Sequence, residues 1–376
     1  MISSSENSDV LQVLVVDDSA VMRRIIRGAL LAHPDIEVIG TANDGAAAVT
    51  FVKHTRPDIV ILDIEMPVMD GLEALREIRK FDWNLPVIMF SSLTHAGAQS
   101  TLAALTSGAS DYAAKPANLS DPKDCNTILN ETLIPKIRAL CAKKAKKPIG
   151  NVTPRTDLRA SVQGAAQVGS VSTASGLTSL RPTNTVEAVC IGVSTGGPAA
   201  LAKVFAEWRE PLSVPLFIVQ HMPPQFTELL GKKLTSISGM PVKEPVEGEV
   251  ALAGQAYIAP GGYHMVLKDE GGRVVIHLNQ EPPENFCRPA VDVLFRSAAK
   301  IYGNRLLGVV LTGMGSDGML GAQNITQAGG QVIAQDEITS VIWGMPGAVI
   351  KAGLAHKVLP LEEIPNEIGI RIFRRK

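Results

Sequence analysis

Apolar runs of strand length alternate with segments of helical spacing over roughly the first 140 residues of the chain. One helical segment places Val21, Ile25, Ile26 and Leu30 on a single face. Because strands separated by helices pair in parallel, the alternation predicts five βα units wound around a parallel sheet. The apolar runs occupy residues 10–16, 36–39, 58–62, 86–90 and 112–114.

The C-terminal part of the chain alternates in the same way, without an internal repeat of sequence. It predicts a second α/β domain that is also doubly wound around a parallel sheet. The candidate strands are residues 186–193, 214–220, 255–259, 264–268, 273–278, 305–311 and 331–335. The candidate helices are residues 198–208, 224–235, 289–302 and 316–328.

A stretch of low complexity separates the two predicted domains. Residues 148–185 contain no aromatic side chain and are rich in Ser, Thr, Ala and Gly, so they bury too little apolar surface to offset the entropy of ordering. We therefore expect domains at residues 10–140 and 186–372, joined by a flexible linker at 141–185. A basic cluster is expected to end the preceding helix, and it consists of Lys143, Lys144, Lys146 and Lys147.

Composition excludes several classes of function. The chain has 376 residues, 36 basic and 37 acidic side chains, and 4% aromatic residues, which argues against a nucleic-acid-binding protein. No apolar run approaches the length of a membrane span, and the N-terminal segment lacks the features of a secretory signal. The scattered cysteines predict reduced thiols and a cytoplasmic protein. They are Cys125, Cys141, Cys190 and Cys287.

Acidic, hydroxyl and basic side chains follow the strands of the N-terminal domain. The carboxyl ends of parallel strands share one edge of a sheet, so these side chains are expected to converge there. Clustered carboxylates repel one another and favour a hard cation with oxygen ligands, such as Mg²⁺. Any one aspartate could instead cap the following helix. The side chains concerned are Asp17, Asp18, Asp63, Ser91 and Lys115.

These residues lie in motifs that resemble the receiver domain of bacterial response regulators, which has a flavodoxin-like fold. The motifs are VLVVDDSAVMRR, ILDIEMPVMDGLE, FSSLT and DYAAKP, and the resemblance covers about residues 10–140. It implies phosphoryl transfer from a histidine kinase to Asp63. It also implies that Asp18, Asp63 and the carbonyl of Glu65 hold Mg²⁺, with Asp17 supporting the metal through water. The remaining implied roles are the switch hydroxyl Ser91, the switch aromatic Tyr112 and the phosphate-sensing Lys115.

A serine on a glycine turn marks the start of the C-terminal domain. Gly192, Ser194 and Gly197 match the spacing of a dinucleotide-binding turn, but a serine replaces the second glycine and the ribose-binding carboxylate is missing. The same turn satisfies the GxSxG pattern of α/β-hydrolases, for which His356 would be the late histidine.

A third interpretation is a Ser–His–Asp triad in a different chain order. Ser194, His221 and Asp317 each follow a candidate parallel strand, so they can share one sheet edge. Taken singly, His221 could be an incidental loop residue and Asp317 a helix cap. Their joint occurrence with a serine on a glycine turn favours the triad.

The C-terminal motifs resemble the catalytic domain of chemotaxis receptor methylesterases, the CheB family. The motifs are IGVSTGGP, VQHMP, IAPGGYHM, FCRPAVDVLFRSAA and LTGMGSDG, over about residues 186–370. The resemblance implies a Rossmann-like domain without a cofactor of its own. It implies hydrolysis of glutamyl methyl esters, and deamidation of glutamines, in methyl-accepting chemoreceptors. It also assigns the catalytic turn and oxyanion donors to Thr195, Gly196, Gly197 and Met314.

Further expectations concern regulation and two other residues. The receiver is expected to cover the Ser194 cleft until it is phosphorylated. An alternative is a phosphorylation-regulated adaptor that binds receptors without turnover. Arg288 could bind substrate carboxylates, although an ion pair at a helix start is favoured, and His264 is expected to be structural.

Overall fold

A computed structural model describes residues 10–92, 94–116, 122–142, 186–208 and 210–372. The predicted tail at residues 1–9 and the lysine cluster lie outside these residues, as does the predicted linker from residue 143 onward. The proposed domain boundaries therefore remain predictions. Within the described residues no helix has both the length and the apolar character needed to cross a bilayer.

The N-terminal domain contains one parallel sheet with the strand order β2-β1-β3-β4-β5. All five predicted strands are present, and the doubly wound α/β fold is confirmed. The strands are β1 (Leu11–Val16), β2 (Ile36–Ala42), β3 (Ile59–Asp63), β4 (Val87–Ser91) and β5 (Asp111–Ala114). The helices are α1 (Ala20–Leu31), α2 (Gly45–Thr55), α3 (Gly71–Arg79), α4 (His95–Thr106), α5 (Pro122–Thr132) and α6 (Ile134–Cys141).

Local signals place the helix starts close to the carboxyl ends of these strands. Ser19 caps α1 by accepting a hydrogen bond from the Met22 amide, and Asp70 and Glu73 form a capping box at α3. A Cβ at Gly71 would lie only 1.9 Å from the Asp63 carbonyl oxygen. Glycine is therefore required where the start of α3 packs against the end of β3.

The C-terminal domain contains a seven-stranded parallel sheet with the order β15-β14-β13-β6-β7-β10-β8. Its strands are β6 (Ala188–Val193), β7 (Leu216–Gln220), β8 (Val242–Lys243), β10 (Ala256–Ile258), β13 (Leu306–Val310), β14 (Gln331–Gln335) and β15 (Lys357–Leu359). The helices are α7 (Gly197–Ala206), α8 (Phe226–Ser238), α9 (Val291–Tyr302), α10 (Met319–Gln327), α11 (Met345–Lys351) and α12 (Ile364–Ile372).

Two of the predicted strands in this domain do not join the parallel sheet. They form the antiparallel hairpin β11 (His264–Glu270) and β12 (Arg273–Asn279), which pairs with β9 (Glu249–Val250) in a separate sheet. Gly271 and Gly272 have φ of 65° and 83°, values that a two-residue hairpin turn requires. The short elements β8, β9, β15, α11 and α12 were not among the sequence expectations.

The order in which strands are added to the large sheet reverses at β6. Later strands add on both sides of it, β7 on one side and β13 on the other. Ligand sites in open α/β sheets form beyond the carboxyl ends of strands at such a switch point. All residues of β6, β7 and β13 are buried, so these three strands offer a rigid platform for the loops that follow them.

Candidate active site

Ser194 lies on a tight turn between β6 and α7. Gly196 has φ of 77°, and Pro198 occupies the first turn of the helix. A Cβ at Gly197 would lie 1.9 Å from Gln220 Oε1, and one at Gly192 would lie 2.3 Å from Val291 Cγ1. The glycines are therefore needed because neighbouring elements approach the turn closely, and this approach places Ser194 at the sheet edge.

The strand register places Ser194 next to His221. Val193 on β6 pairs with Gln220 on β7, so the residues that follow each strand are neighbours. The Gln220 side-chain amide donates a hydrogen bond to the Ser194 carbonyl at 3.0 Å. Gln220 is a structural support of the site that sequence reasoning noted only as the end of a strand.

The structure joins His221 and Asp317 directly. His221 Nε2 lies 2.8 Å from Asp317 Oδ2, and only 2% of Asp317 is exposed. The two residues come from loops after β7 and β13, which flank β6 on opposite sides. Within the described residues the Ser194 hydroxyl makes no hydrogen bond to His221, so the pair and the serine share an edge without forming a closed chain of hydrogen bonds.

Backbone donors hold the Asp317 carboxylate at the start of α9. It accepts hydrogen bonds from the amides of Val291 at 2.7 Å, Asp292 at 3.0 Å and Gly318 at 2.9 Å. Ala290 at the N-cap of α9 has no capping side chain, so Asp317 supplies the cap from another loop. Burial opposes ionisation, but the hydrogen bonds from His221 and these amides keep the pKa of Asp317 below its usual value.

His221 is in a position to act as a base. Burial disfavours the imidazolium, but the hydrogen bond to Asp317 and the nearby Cys287 thiol outweigh burial and raise the pKa of His221 to about 9. Because Nε2 faces Asp317, a triad with Ser194 would use Nδ1. A serine, an imidazole and a buried carboxylate in this order can perform acyl transfer.

The predicted oxyanion donors differ in availability. The Gly197 amide donates to the Ser194 carbonyl at 2.8 Å, so Gly197 serves the turn and cannot also donate to an oxyanion. Within the described residues the amides of Thr195, Gly196 and Met314 have no hydrogen-bond acceptor. Met314 is 41% exposed, so its amide lies on an accessible loop. The donors that fit the role are therefore Thr195, Gly196 and Met314.

The N-terminal domain contacts this turn. Thr195 Oγ1 donates a hydrogen bond to Asp111 Oδ2 of β5 at 2.8 Å, and both side chains are buried. The Tyr112 ring stacks on Phe226 of α8 with a centroid distance of 5.0 Å. Lys136 pairs with Asp111 at 3.1 Å and lies over the Tyr112 ring. The predicted switch aromatic is therefore part of a contact that reaches the residue after Ser194.

The acidic side chains of the N-terminal domain meet as the sequence predicts. Carboxylate oxygens of Asp17, Asp18 and Asp63 lie within 4.8 Å of one another. Asp17 Oδ2 and Asp63 Oδ2 are buried, and the Lys115 ammonium lies 2.9 and 2.7 Å from them as a shared cationic partner. Burial and the Asp17 charge raise the pKa of Asp63 to about 6, against the effect of Lys115. This excess of hard oxygen donors fits Mg²⁺.

The other receiver residues have distinct positions. The Ser91 hydroxyl donates to Thr101 Oγ1 at 2.7 Å, because the Thr101 hydroxyl itself donates to the Gly97 carbonyl. Ser91 is therefore bonded to α4 in this structure. The Glu65 side chain is exposed, and its amide lies 3.4 Å from Asp63 Oδ1. Burial raises the pKa of the Tyr112 hydroxyl well above its usual value.

The contacts of His356, His264 and Arg288 test the three remaining expectations for single residues. His356 Nδ1 accepts from the Val332 amide at the beginning of β14, the sheet edge opposite to Ser194, so it cannot complete an α/β-hydrolase triad. His264 is 1% exposed and accepts from the Ala290 amide, which is a structural role. Among the described residues Arg288 has no ion pair, and its guanidinium instead donates to the carbonyls of Gln280 and Glu281.

Comparisons with known proteins match both parts of the chain. A family profile described as CheB methylesterase matches residues 189–368, and one described as response regulator receiver domain matches residues 13–124. A protein-glutamate methylesterase/protein-glutamine glutaminase of Trichodesmium erythraeum is 47% identical over 361 residues, covering 96% of this chain and 99% of that protein. A protein of the same name from Nocardioides sp. is 45% identical, covering 97% of this chain and 96% of that protein.

Solved structures of related proteins match single domains. The crystal structure of the Thermotoga maritima CheB methylesterase catalytic domain is 43% identical, with a TM-score of 0.48, and covers 49% of this chain and 98% of that chain. The response regulator domain of Thermotoga maritima CheB is 40% identical, with a TM-score of 0.32, and covers 37% of this chain and 99% of that chain.

Proposed function

The chain belongs to the family of CheB-type protein-glutamate methylesterases/protein-glutamine glutaminases, and we propose that Ser194, His221 and Asp317 are its catalytic triad. The enzyme is a hydrolase that removes methyl groups from glutamyl γ-methyl esters. The observation that carries the assignment of the triad is the buried His221–Asp317 hydrogen bond beside Ser194 at the switch point of the sheet.

The reaction begins with attack of Ser194 Oγ on the ester carbonyl. His221 Nδ1 accepts the serine proton and then donates it to the departing methoxide, which leaves as methanol. The carbonyl oxygen becomes an oxyanion, which the amides of Thr195, Gly196 and Met314 stabilise. Removing one such donor typically slows turnover about 10²–10³-fold.

Asp317 stabilises the imidazolium that forms during attack. Its carboxylate remains ionised because five donors reach it, and it holds His221 through Nε2 so that Nδ1 points away. Water then attacks the acyl-enzyme, with His221 again acting as the base, and releases glutamate and Ser194. A glutamine side chain presents the same carbonyl with ammonia as the leaving group, so deamidation uses the same residues.

We propose methyl-accepting chemoreceptors as the substrate. Such a substrate is a helical protein bundle, and the formal net charge of −1 is compatible with recognition by shape and local contacts. All four cysteines, each within the described residues, carry reduced thiols, which fits the cytoplasmic location expected from the sequence.

The receiver domain supplies regulation. We propose that a chemotaxis histidine kinase donates a phosphoryl group to Asp63. The donor set of Asp17, Asp18 and Asp63 would hold Mg²⁺, with the Glu65 carbonyl as a further ligand, and the cation would neutralise charge on the phosphoryl oxygens. Lys115 adds a fixed positive charge beside Asp63, and Ser91 and Tyr112 are the residues proposed to respond.

Asp63→Asn is expected to abolish stimulation by a small phosphodonor while basal methanol release remains. The amide cannot accept a phosphoryl group as a carboxylate does, whereas the esterase residues are unchanged. The measurement is methanol release from methylated receptor membranes, with incorporated phosphate counted in parallel. Chelating Mg²⁺ should abolish incorporation in the wild type. The control is Asp35→Asn, an exposed carboxylate paired with Arg138. Full stimulation of Asp63→Asn would contradict the assignment.

We propose that the unphosphorylated receiver restrains the esterase through the contact described above. The Asp111–Thr195 hydrogen bond reaches the oxyanion turn, and the Tyr112–Phe226 stack lies at the same face. Ile342, in the loop after β14, also packs into the apolar cluster of the receiver. A phosphorylation signal that moves Tyr112 would weaken these contacts together.

Deleting residues 1–147 is expected to raise basal methanol release. If the interdomain contact is worth about 1.4 kcal/mol, its loss corresponds to roughly a tenfold increase. Tyr112→Ala in the full chain should change activity in the same direction, because it removes the stacked ring. Lys80→Ala is the control, because Lys80 is an exposed residue that follows the last residue of α3 and pairs with Glu77. Unchanged or lower activity in the truncated protein would refute occlusion by the receiver.

An adaptor that binds receptors without turnover is the alternative of another class. The His221–Asp317 pair argues against an adaptor. A protein that only binds receptors has no need for a buried carboxylate that orients a histidine in the loops after β7 and β13. The discriminating observation is methanol release itself. An intact protein that releases none, with Ser194→Ala behaving identically, would favour the adaptor.

A further inference from the structure

The loop at residues 284–287 holds the Asn285 side chain against the buried carboxylates of Asp292 and Asp317. Glu284 and Cys287 close the loop through reciprocal backbone hydrogen bonds of 3.2 and 2.9 Å. Arg296 of α9 clamps Glu284 with two hydrogen bonds, which ties the loop to the helix that binds Asp317. Asn285 lies inside this loop, and its φ of 52° is in the left-handed region that asparagine tolerates better than most residues.

The Asn285 amide bridges the catalytic carboxylate and its neighbour. Nδ2 donates to Asp317 Oδ1 at 3.0 Å and to Asp292 Oδ2 at 3.0 Å. Asp292 is 1% exposed, and its other oxygen accepts from the Gly321 amide at 2.6 Å. The two N–H groups of one amide therefore bridge two carboxylates, and the Asn285 side chain is the donor that the two carboxylates share.

Electrostatics make this bridge consequential. Burial, together with the Asp317 charge, raises the pKa of Asp292 to about 6, while the pKa of Asp317 stays below its usual value. The charged and titratable groups around the pair are His221 with Cys287 on one side and Arg296 on the other. Without the amide, a proton on Asp292 could bond to Asp317 Oδ1 and compete with the charge that stabilises His221.

We propose that Asn285 is a positioning residue for the esterase reaction. Its amide donates to Asp317 Oδ1 alongside two backbone amides and helps to keep that carboxylate ionised, with Oδ2 facing His221 Nε2 at 2.8 Å. Asn285 acts through Asp317 and does not touch the reacting atoms. The inference rests on the proposed triad, and it adds a residue on a separate loop to the machinery.

The test separates the side chain from the backbone of the loop. Asn285→Gly removes the amide but suits the left-handed conformation, so the loop is not strained. We expect kcat for methanol release from methylated receptor membranes to fall about 10²-fold, as a misplaced catalytic group does, with KM unchanged. An NMR titration of the His221 imidazole should show a lower pKa than in the wild type, because Asp317 carries less charge.

Two further variants complete the design. Asn285→Asp has the same shape and lacks both donors at neutral pH, so it should be slower than Asn285→Gly at pH 8. Absolute rates of every variant fall in acid as His221 is protonated, but the rate of Asn285→Asp relative to the wild type at the same pH should recover partly there, because the introduced carboxyl can then donate. Phe286→Gly is the control, since Phe286 shares the left-handed backbone and its side chain is fully exposed. We expect wild-type kcat and pH profile for this control.

The outcomes distinguish this inference from the function on which it rests. A wild type that releases no methanol would overturn the proposed triad. An active wild type with Asn285→Gly retaining more than half of its kcat, and the His221 pKa unchanged, would overturn the role of Asn285 alone. Far-ultraviolet circular dichroism of each variant checks that the fold is kept, and the NMR titration reports on Asp317 without requiring turnover.

Discussion

Ser194→Ala is expected to abolish methanol release, with a loss of about 10⁶-fold in kcat. The substitution removes the nucleophile and leaves His221 and Asp317 without a group to activate. The turn itself should be undisturbed, because it depends on Gly192, Gly197 and the Gln220 side chain. The measurement is release of labelled methanol from receptor membranes, with and without a small phosphodonor.

The matched control for this prediction is Ser236→Ala. Ser236 lies on α8, and its hydroxyl donates to the Lys233 carbonyl on the solvent side of that helix. Phosphorylation of Asp63 should continue in Ser194→Ala, because the acidic site is on the other domain. Methanol release by Ser194→Ala at a rate comparable with that of the wild type would exclude Ser194 as the nucleophile.

Asp317→Asn is expected to lower kcat about 10⁴-fold, as the equivalent change does in serine protease triads. The amide would present an N–H group or an uncharged oxygen to His221 Nε2, so the imidazolium loses its counter-charge. The change also leaves the start of α9 without the carboxylate that caps it. Asp269→Asn is the control, because Asp269 is an exposed residue of β11 whose carboxylate accepts only a local hydrogen bond from the Gly272 amide among the contacts of the described residues.

The pH profile gives this prediction a second readout. His221 must be neutral to act as a base, and its pKa is about 9 in the wild type. We expect kcat/KM to rise tenfold per pH unit below that value and to level off above it. Loss of the Asp317 charge lowers the pKa of His221, so the residual activity of Asp317→Asn should level off at a lower pH. An unchanged profile would exclude Asp317 as the group that raises the pKa.

Much of the fold follows from local patterns. The alternation of strands and helices depends on side-chain spacing within each segment, and all five predicted strands of the N-terminal sheet are present. The antiparallel hairpin at β11 and β12 was missed as a separate sheet, because spacing indicates a strand but not its partner. The short strands β8, β9 and β15 carry too few residues for a period to be visible.

The candidate site, like the fold, contains residues that the sequence could predict and residues that it could not. Ser194, His221 and Asp317 could be predicted as a triad because each follows a strand, and strand ends are readable in sequence. Asn285 and Asp292 could not be assigned, since an asparagine in a polar loop and an aspartate at a helix start both have ordinary local explanations. The one available signal was the NFCRPAVD segment, where the two residues are seven positions apart around the start of α9.

The sequence by itself determined the α/β class and predicted the chemistry of both strand-end clusters and of the serine turn, because these depend on residue type and spacing over a few positions. The tertiary structure decided which loops meet. Only the placement of β13 beside β6 brings Asp317 to His221. Only the packing of the two domains joins Asp111 to Thr195. Such contacts link residues tens to nearly a hundred positions apart, and they arise from strand order and domain packing, which local patterns do not encode.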